Sequence, residues 1–255
     1  MENFRRVFVT GAGSGLGAGL VGHYGREGAH LGLVGRREAL LREQQVECEG
    51  RGARVEVYAG DVADTDFMQQ SAGRFLEAAG GVDLVVANAG IAIANRVREG
   101  EAHEVARLIN VNLVGVTNTL LPFVPGMIEQ GRGTLCAMSS FTAHRGLPGR
   151  TAYGASKAGV TAFTDGLRME LHDTGVHAMA LHPGFVDTPL TRDNPEMIFL
   201  IDLDHAVACM ASAIERGARN HTFPWQMNLL KEVVKHAPES IIRRLAPAPR
   251  PTSMK

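Results

Sequence analysis

Short apolar runs typical of buried β-strands alternate with amphipathic helical runs along most of the chain. The predicted strands are Arg6–Thr10, His30–Val34, Arg54–Ala59, Leu84–Ala87, Thr134–Ser139 and His177–His182, with a short seventh near His221–Phe223. Helices are predicted to begin near Gly15, Glu38, Asp64, Glu101 and Ala152, and a last one to cover His205–Gly217. This alternation predicts an α/β fold, a doubly wound parallel sheet with helices on both faces. No linker-like stretch interrupts the series, so residues 1–255 are predicted to form a single domain.

The charge and the cysteines exclude several classes of partner. A formal net charge of −1 indicates no basic field, and no nucleic-acid partner is predicted. The three scattered cysteines, Cys48, Cys136 and Cys209, do not resemble a disulfide framework and favour a reducing compartment. The ten histidines lack the spacing of metal ligands, so no metal site is predicted.

The N-terminus runs directly into the first predicted strand, without the apolar segment and cleavage site of a signal peptide. No uninterrupted run of about 18 apolar residues is present, and no membrane-spanning helix is predicted. Together with the cysteine usage, these features predict a cytoplasmic protein for which membrane contact is not expected.

A glycine-rich segment follows the first strand and opens the first helix, with the sequence Thr10-Gly11-Ala12-Gly13-Ser14-Gly15-Leu16-Gly17. Glycines allow a tight turn and a close approach of the backbone to a pyrophosphate, while the helix N-terminus supplies free N–H groups. A plain turn is the alternative for such a run in other contexts. After the first strand of an alternating α/β chain, the run predicts a dinucleotide site.

A second signal is a tyrosine and a lysine one helical turn apart, Tyr153 and Lys157. Residues i and i+4 lie on one face of a helix, so the phenol and the ammonium are predicted to be neighbours. A fixed positive charge favours the phenolate, and the pKa of Tyr153 is therefore expected to fall from roughly 10 toward neutrality. A tyrosine with such a pKa is suited to general acid/base catalysis. Taken alone, such a pair would be an ordinary surface pair in most proteins, so the rest of the chain decides.

These two motifs, TGxxxGxG and YxxxK, resemble those of the short-chain dehydrogenase/reductase family over roughly residues 5 to 190. The resemblance implies a Rossmann-like domain and an NAD(P)-dependent oxidoreductase that moves a hydride between the nicotinamide and a carbonyl or secondary alcohol. It also implies that Gly11, Gly15 and Gly17 form the cofactor loop. Ser14 and Leu16, which lie between these glycines, are predicted to contact the cofactor as well.

The end of the second strand bears on the choice between NAD and NADP, and its sequence is Val34-Gly35-Arg36-Arg37. NAD-selective folds place an acidic residue here for the ribose hydroxyls, whereas a nearby arginine accommodates the 2′-phosphate of NADP. Gly35 occupies the expected acidic position, and Arg36 and Arg37 follow it. The predicted cofactor is therefore NADP, with NAD as the alternative. If no phosphate binds there, the two arginines are simply solvated.

The resemblance implies further cofactor contacts after the later strands. Asp61 and Val62 match an adenine-binding position, although Asp61 is equally suited to cap a turn. The segment Asn88-Ala89-Gly90 resembles the family's NNAG motif, with Ala87 in place of the first asparagine. The remaining implied contacts are Tyr153, Lys157, Pro183, Gly184, Val186 and Thr188.

The resemblance also implies a catalytic set of four residues, Asn112, Ser140, Tyr153 and Lys157. Ser140 lies thirteen residues before Tyr153, the family's usual spacing, and is expected to hold the substrate oxygen, with Ser139 as a structural hydroxyl. Lys157 is implied to bind the nicotinamide ribose. Asn112 lies inside a predicted helix, where asparagine favours a local irregularity, and the resemblance implies a proton relay there.

Substrate is expected over the nicotinamide, lined by segments near Ile91–Ala94, Phe141–Leu147 and Phe185–Leu203. Within about residues 188–204, the apolar run from Met197 to Ile201 predicts a mobile lid over a lipophilic carbonyl or alcohol. Core packing or a subunit contact is the alternative for that run. Three nearby polar residues are interpreted as ordinary loop or packing residues: His144, Arg145 and His182.

The C-terminal segment, about residues 224–255, is amphipathic and basic from Trp225 to Arg244. A helix pair that covers the substrate mouth or joins a neighbouring subunit is preferred to a helix that lies on a membrane surface. Beyond this pair, the segment from Pro247 to Pro251 is expected to be extended or disordered. By resemblance, the protein is expected to be a homodimer or homotetramer, assembled through the helices that carry Asn112 and Tyr153.

Three functional hypotheses follow from these residues. The predicted function is an NADP-preferring carbonyl reductase or alcohol dehydrogenase. A non-catalytic, NADP-sensing regulatory protein on the same fold is the alternative, but it has no need of an intact set of Ser140, Tyr153 and Lys157. A dehydratase or epimerase that uses the same Tyr–Lys pair usually carries a larger C-terminal substrate region than this chain offers.

Overall fold

Seven parallel strands form a single sheet. In the computed structural model, which describes residues 4–93, 100, 102–191 and 197–245, they are β1 (Arg6–Thr10), β2 (His30–Gly35), β3 (Arg54–Ala59), β4 (Leu84–Ala87), β5 (Gly133–Met138), β6 (Val176–Pro183) and β7 (Asn220–Phe223). Their order across the sheet is β3-β2-β1-β4-β5-β6-β7. The predicted doubly wound parallel sheet is confirmed, and every predicted strand ends within one residue of the observed one.

Helices cover both faces of this sheet. They are α1 (Gly15–Tyr24), α2 (Glu38–Glu49), α3 (Thr65–Ala79), α4 (Ala102–Ile109), α5 (Gly115–Leu120), α6 (Val124–Gln130), α7 (Thr151–Glu170), α8 (Leu203–Glu215), α9 (Trp225–His236) and α10 (Glu239–Leu245). One hydrophobic core joins Leu20 of α1 and Met210 of α8 to the sheet, and a second joins Phe75 of α3 and Val160 of α7 to its other face. Burial on both faces explains why the central strands are mostly apolar, whereas the edge strands β3 and β7 also carry polar residues.

The order of the sheet reverses between β1 and β4, which brings the loops after these two strands side by side. Thr10, the last residue of β1, ties them together. Its Oγ1 accepts hydrogen bonds from the backbone N–H groups of Asn88 and Ala89, both at 3.2 Å. In open α/β sheets, ligands bind beyond the carboxyl ends of the strands at such a reversal.

The helical stretch from Ala102 to Gln130 is irregular in two places. A π-helix, Asn110–Val114, separates α4 from α5, and a 3₁₀ turn, Leu121–Phe123, separates α5 from α6. The predicted irregularity at Asn112 is therefore confirmed. By length and composition the stretch is apolar enough to cross a membrane, but half of its most apolar window is buried inside the protein. Burial of that extent is typical of the core helix of a globular domain.

The C-terminal part returns to the sheet after α8, which begins two residues before its predicted start. A helix pair, α9 and α10, follows β7. Met227 of α9 fills the space over Gly184, where an added Cβ would lie 2.7 Å from Met227 Cγ. Ala94, residues 192–196 of the predicted lid and the segment from Pro247 to Pro251 lie outside the described residues.

Candidate active site

The glycine-rich loop leaves the N-terminus of α1 open. Gly11 and Gly15 have φ angles of 66° and 55°, in the left-handed region that favours glycine. Gly17 lies against the carbonyl of Gly11, so an added Cβ would collide with that oxygen. Within the described part of the chain, the N-cap residue Ser14 makes no side-chain capping bond and the first turn carries no acidic residue. The first N–H groups of α1 are thus available to an anion such as a pyrophosphate.

A cleft of about 380 Å³ runs along the carboxyl edge of the sheet. Most of the predicted site residues line it: Gly11, Ser14, Gly15, Leu16, Arg36, Arg37, Asp61, Val62, Asn88, Ala89, Gly90, Ser140, Tyr153, Lys157, Pro183, Gly184, Val186 and Thr188. Two predicted residues, Gly17 and Asn112, are buried behind its wall instead. The fold therefore brings the glycine loop and the Ser–Tyr–Lys residues into one space.

At one end of the cleft, two polar side chains make local bonds. Asp61 Oδ1 accepts a hydrogen bond from the backbone N–H of Ala63 at 3.0 Å, which is the turn-capping role that its position allowed. Asn88 Nδ2 donates to the carbonyls of Thr10 at 3.1 Å and Gly11 at 3.3 Å. Asn88 thus holds the glycine loop to the end of β4.

The segment after β2 carries two exposed arginines. Arg37 Nη2 donates to Ser14 Oγ at 2.9 Å, which brings its guanidinium to the glycine loop. Gly35 itself lines the cleft and brings no acidic side chain to it. This end of the cleft is therefore positively charged.

Lys157 and Tyr153 lie one turn apart on α7, but the ammonium of Lys157 is directed to a backbone carbonyl. Lys157 is buried, and its Nζ donates to the carbonyl of Met138 at 2.7 Å and lies 5.8 Å from the centroid of the Tyr153 ring. Burial lowers the pKa of Lys157 to about 8. Burial raises the pKa of Tyr153, and a hydrogen bond from Ser140 and the charge of Arg150 offset this only in part. The prediction that Lys157 moves the pKa of Tyr153 toward neutrality is therefore wrong, because the phenol is desolvated and the lysine faces a carbonyl.

Two serines follow β5 and differ in their partners. Ser139 Oγ donates to the carbonyl of Lys157 at 3.0 Å and lies 2.8 Å from Thr161 Oγ1, which makes it a structural hydroxyl. Ser140 faces the cleft. Its Oγ accepts hydrogen bonds from the N–H of Thr142 at 3.3 Å and from Thr142 Oγ1 at 3.1 Å. The structural role expected for Ser139 is confirmed, and the role of Ser140 toward a substrate oxygen stays a prediction.

Asn112 is fully buried in the π-helix and faces the segment after β4. Its Oδ1 accepts a hydrogen bond from the N–H of Ile91 at 2.8 Å, and its Nδ2 donates to the carbonyl of Ile91 at 2.9 Å. Nδ2 also lies 3.3 Å from Ser156 Oγ. The side chain therefore fastens the cleft wall from behind, and the proton relay through Asn112 stays a prediction.

A pair of histidines lies behind Ser140. His182, at 1% exposed, places its Nδ1 3.3 Å from the carbonyl of Ser140. The ring of His144 stacks on that of His182, with centroids 4.9 Å apart. Burial, together with the neighbouring His144, lowers the pKa of His182 to about 4. His182 is therefore neutral at pH 7, and Nδ1 carries its proton to donate to Ser140.

Three residues near the site were missed or undervalued in the sequence. Thr142 hydrogen-bonds Ser140. The signal in the sequence is its position two residues after a serine, since serine side chains often bond the backbone N–H two residues on. Arg150 is the N-cap residue of α7, three residues before Tyr153, and its charge acts to lower the pKa of that tyrosine. Arg145 donates to the carbonyls of Lys235 at 3.3 Å and Ala237 at 3.4 Å, which ties the loop after Ser140 to the end of α9.

The segment after β6 forms the far wall of the cleft. Thr191 Oγ1 donates to the carbonyl of Val186 at 2.5 Å and accepts from the N–H of Thr188 at 3.2 Å, which fixes this turn. Farther along, Ile201 donates to the carbonyl of Phe185 at 3.1 Å. About half-exposed apolar side chains stand between these anchors: Leu190, Ile198, Phe199 and Leu200. They face solvent rather than the core, and both the lid and a subunit contact stay predictions.

Comparison with known proteins gives consistent matches. A family model described as short chain dehydrogenase matches residues 5–198. A protein of Myxococcus xanthus named as an uncharacterized oxidoreductase is 37% identical over 240 residues, which cover 94% of this chain and 95% of the relative. The 3-oxoacyl-acyl-carrier-protein reductase of Thermotoga maritima is 36% identical over 191 residues, or 74% of this chain and 76% of the relative. A solved short-chain dehydrogenase from Sphingobium yanoikuyae, in complex with NADPH, has a TM-score of 0.80 over 98% of both chains at 23% identity, which shows the fold alone.

Proposed function

The chain belongs to the short chain dehydrogenase family, and on that basis we propose that it is an NADP(H)-preferring oxidoreductase with Tyr153 as general acid/base. Family membership supports NAD(P)-dependent oxidoreduction of a small molecule. The finer proposal is that the substrate is a carbonyl compound or a secondary alcohol. The observation that carries it is the single cleft that joins Ser140, Tyr153 and Lys157 to the open N-terminus of α1.

The residues present fit a dinucleotide. When bound, NADP(H) supplies or accepts the hydride. The glycine loop and the N–H groups of α1 suit its pyrophosphate, because glycines admit the backbone close to the ligand. Asp61 and Val62 are proposed to bind the adenine, and Lys157 the nicotinamide ribose. The other proposed contacts are Asn88, Ala89, Gly90, Pro183, Gly184, Val186 and Thr188.

The preference for NADP is proposed from the charge beside β2. Gly35 lines the cleft where an acidic side chain would repel a phosphate, and it has no side chain to do so. Arg36 and Arg37 are exposed at the cleft, and Arg37 already bonds Ser14 of the glycine loop. A guanidinium in this position supports the 2′-phosphate of NADP.

The proton is proposed to move through Tyr153. In reduction, its phenol gives a proton to the carbonyl oxygen, and because its pKa is raised, the phenol is in the protonated donor form at neutral pH. Ser140 is proposed to hold the same oxygen. Lys157 lies near the ring and supplies positive charge where the phenolate develops. Asn112 is proposed to continue the proton path, from its place behind the cleft.

The lipophilic character of the substrate and the assembly of the protein are proposed from the surfaces around the cleft. Half-exposed apolar side chains in the described part of 188–204 support a lid over a lipophilic substrate, with Phe199 and Leu200 among them.

The helix pair α9 and α10 is proposed to cover the mouth or to join a neighbouring subunit. A cytoplasmic homodimer or homotetramer is the assembly that the family resemblance supports. The curated relatives' names favour an oxidoreductase over the alternative NADP sensor.

Turnover with NADPH and NADH over a panel of lipophilic aldehydes and ketones tests the proposal. We expect the wild type to oxidise NADPH with at least one compound. Tyr153→Phe is expected to lose about 10²–10⁴-fold in kcat while its cofactor Kd stays within about twofold, because only the proton donor is removed. Tyr58→Phe is the matched control, since Tyr58 bonds Glu56 on β3, away from the cleft.

Three outcomes would count against parts of the proposal. Wild-type kcat in Tyr153→Phe would exclude Tyr153 as the acid. Tight NADPH binding without turnover of any compound would favour the sensor. Tighter binding of NADH than of NADPH would contradict the role given to Arg36 and Arg37.

A further inference from the structure

The hydroxyl of Ser140 is held from behind by one residue. Ser140 is the N-cap of the 3₁₀ turn Phe141–His144, and this turn brings Thr142 back toward it. The N–H of Thr142 donates to Ser140 Oγ at 3.3 Å, and Thr142 Oγ1 donates to the same oxygen at 3.1 Å. A serine oxygen has two acceptor lone pairs and one proton. Thr142 uses both lone pairs, so the capacity that remains to Ser140 is its own proton.

That proton has one useful direction. Ser140 is 8% exposed, and the exposed part lines the cleft beside Tyr153. We propose that Thr142 is a positioning residue, which acts through Ser140 by making it a donor toward the substrate oxygen. This inference rests on the proposed function. It adds an ordered series of hydroxyls, from Thr142 through Ser140 to the oxygen of Tyr153 or of the substrate, in which each bond strengthens the next.

The alternative orientation shows why a fixed donor matters. A serine with a free lone pair accepts the proton of a neighbouring phenol. Tyr153 would then direct its proton to Ser140 rather than to the carbonyl oxygen, and the general acid would be misaligned. With both lone pairs held by Thr142, the Ser140 hydroxyl has no acceptor left for the phenol proton and can only donate its own.

The backbone of Ser140 is also held by residues other than Thr142, so a substitution of Thr142 tests its hydroxyl rather than the position of the loop. His182 Nδ1 lies 3.3 Å from the carbonyl of Ser140, and Arg145 ties the same loop to α9. Thr142→Val keeps the backbone N–H and the shape of the side chain but removes the hydroxyl. Thr142→Ser keeps both donors.

Steady-state reduction of the best carbonyl substrate with NADPH tests the inference. Thr142→Val is expected to lower kcat about three- to tenfold, the effect of one neutral hydrogen bond, with the NADPH KM unchanged. Thr142→Ser should restore the rate. In a Ser140→Ala background, Thr142→Val should cost nothing further, because its route to the reaction has been removed. Thr164→Val is the matched control, a buried threonine of α7 that bonds the carbonyl of Val160 outside the site.

The double variant separates positioning from a structural role. An equal loss from Thr142→Val in both backgrounds would mean that Thr142 does not act through Ser140, and the inference would be overturned. A wild-type rate in Thr142→Val would overturn it as well. A wild-type rate in Ser140→Ala would instead refute the role of Ser140 in the proposed function.

A second measurement needs no turnover. The chemical shift of ¹³Cζ in Tyr153, assigned by its loss in Tyr153→Phe, responds to hydrogen bonding at the phenol oxygen. We expect this shift to move in Thr142→Val and in Ser140→Ala, and to stay in place in Thr164→Val. A shift that moves in Ser140→Ala but not in Thr142→Val would contradict the inference even if no substrate had been found. An unchanged ¹³Cζ shift in both Thr142→Val and Ser140→Ala would also contradict the inference.

Discussion

His182 links the candidate site to the acid stability of the protein. Its pKa is about 4 in the folded protein, below the ordinary 6.5, chiefly because it is buried and then because of His144. The unfolded chain takes up the proton near 6.5, so the free energy of unfolding should fall as pH drops from about 6.5 to about 4. The neutral, buried state of His182 accounts for a part of the free energy of unfolding on the order of 3 kcal/mol, which is fully present above pH 6.5.

The measurement is the free energy of urea unfolding at several pH values. His182→Asn keeps a donor near the position of Nδ1 but does not titrate, so it should lose less stability than the wild type between pH 6.5 and 4. His172→Asn serves as the control, because His172 is exposed on the surface. Equal acid sensitivity of the wild type and His182→Asn would show that His182 is not the residue that senses pH.

Single residues also show where sequence reasoning stops. The spacing of Tyr153 and Lys157 could be predicted, because four residues in a helix fix which side chains share a face. The sign of the pKa change of Tyr153 could not, because it depends first on burial of the phenol by other elements of the fold. His182 is a similar case. Its partner, the carbonyl of Ser140, is 42 residues away in the chain.

At the scale of elements, the π-helix has a specific mechanical role. It directs Asn112 to both main-chain groups of Ile91, at 2.8 and 2.9 Å. Asn112→Ala would leave the partly buried main-chain groups of Ile91 without these partners and should lower the free energy of unfolding by about 1–3 kcal/mol. Amide exchange at Ile91 should accelerate more than exchange in the strands.

Urea unfolding together with hydrogen exchange checks this prediction. Asn110→Ala is the control, since Asn110 is exposed in the same π-helix and should tolerate the change. If the two variants lost equal stability, helix propensity rather than the bond to Ile91 would explain the effect. π-turns are common at functional sites, and here the turn supports a wall of the cleft.

Element boundaries were predictable where their signals are local. Central strands buried on both faces, such as β1 and β4, read as continuous apolar runs, whereas the edge strands β3 and β7 carry polar residues and gave weaker signals. The start of α8 was placed two residues too late, although its signal was present. Asp202 caps that helix by accepting from the N–H of His205 at 2.7 Å, and an aspartate at this position marks a start at Leu203. No local signal could have identified Ile91 as the partner of Asn112, because the two residues belong to different segments of the chain.

For the whole molecule, alternation of strands and helices was enough to predict the layers, because parallel strands require crossover helices. It did not predict that α9 would press Met227 onto Gly184, since this contact joins two distant segments without any periodic pattern. The same limit applies to the cleft itself. Its walls come from β1 and α1 on one side and from β5 and α7 on the other, so their meeting is a property of the complete sheet.

A ligand that spans both walls should stabilise the whole domain. At about 100 times its Kd, NADPH should add about 2.7 kcal/mol and raise Tm by roughly 5–10 °C, and NADH at the same concentration should raise it less. The combined substitution Arg36→Ala/Arg37→Ala should reduce the NADPH shift to the NADH level without changing the NADH shift, because these side chains are proposed to meet only the 2′-phosphate. Arg42→Ala is the control, an exposed arginine of α2 paired with Glu38. A double variant that weakened both shifts equally would mean that the arginines support the loop rather than select the cofactor, and a larger NADH shift in the wild type would reverse the proposed preference.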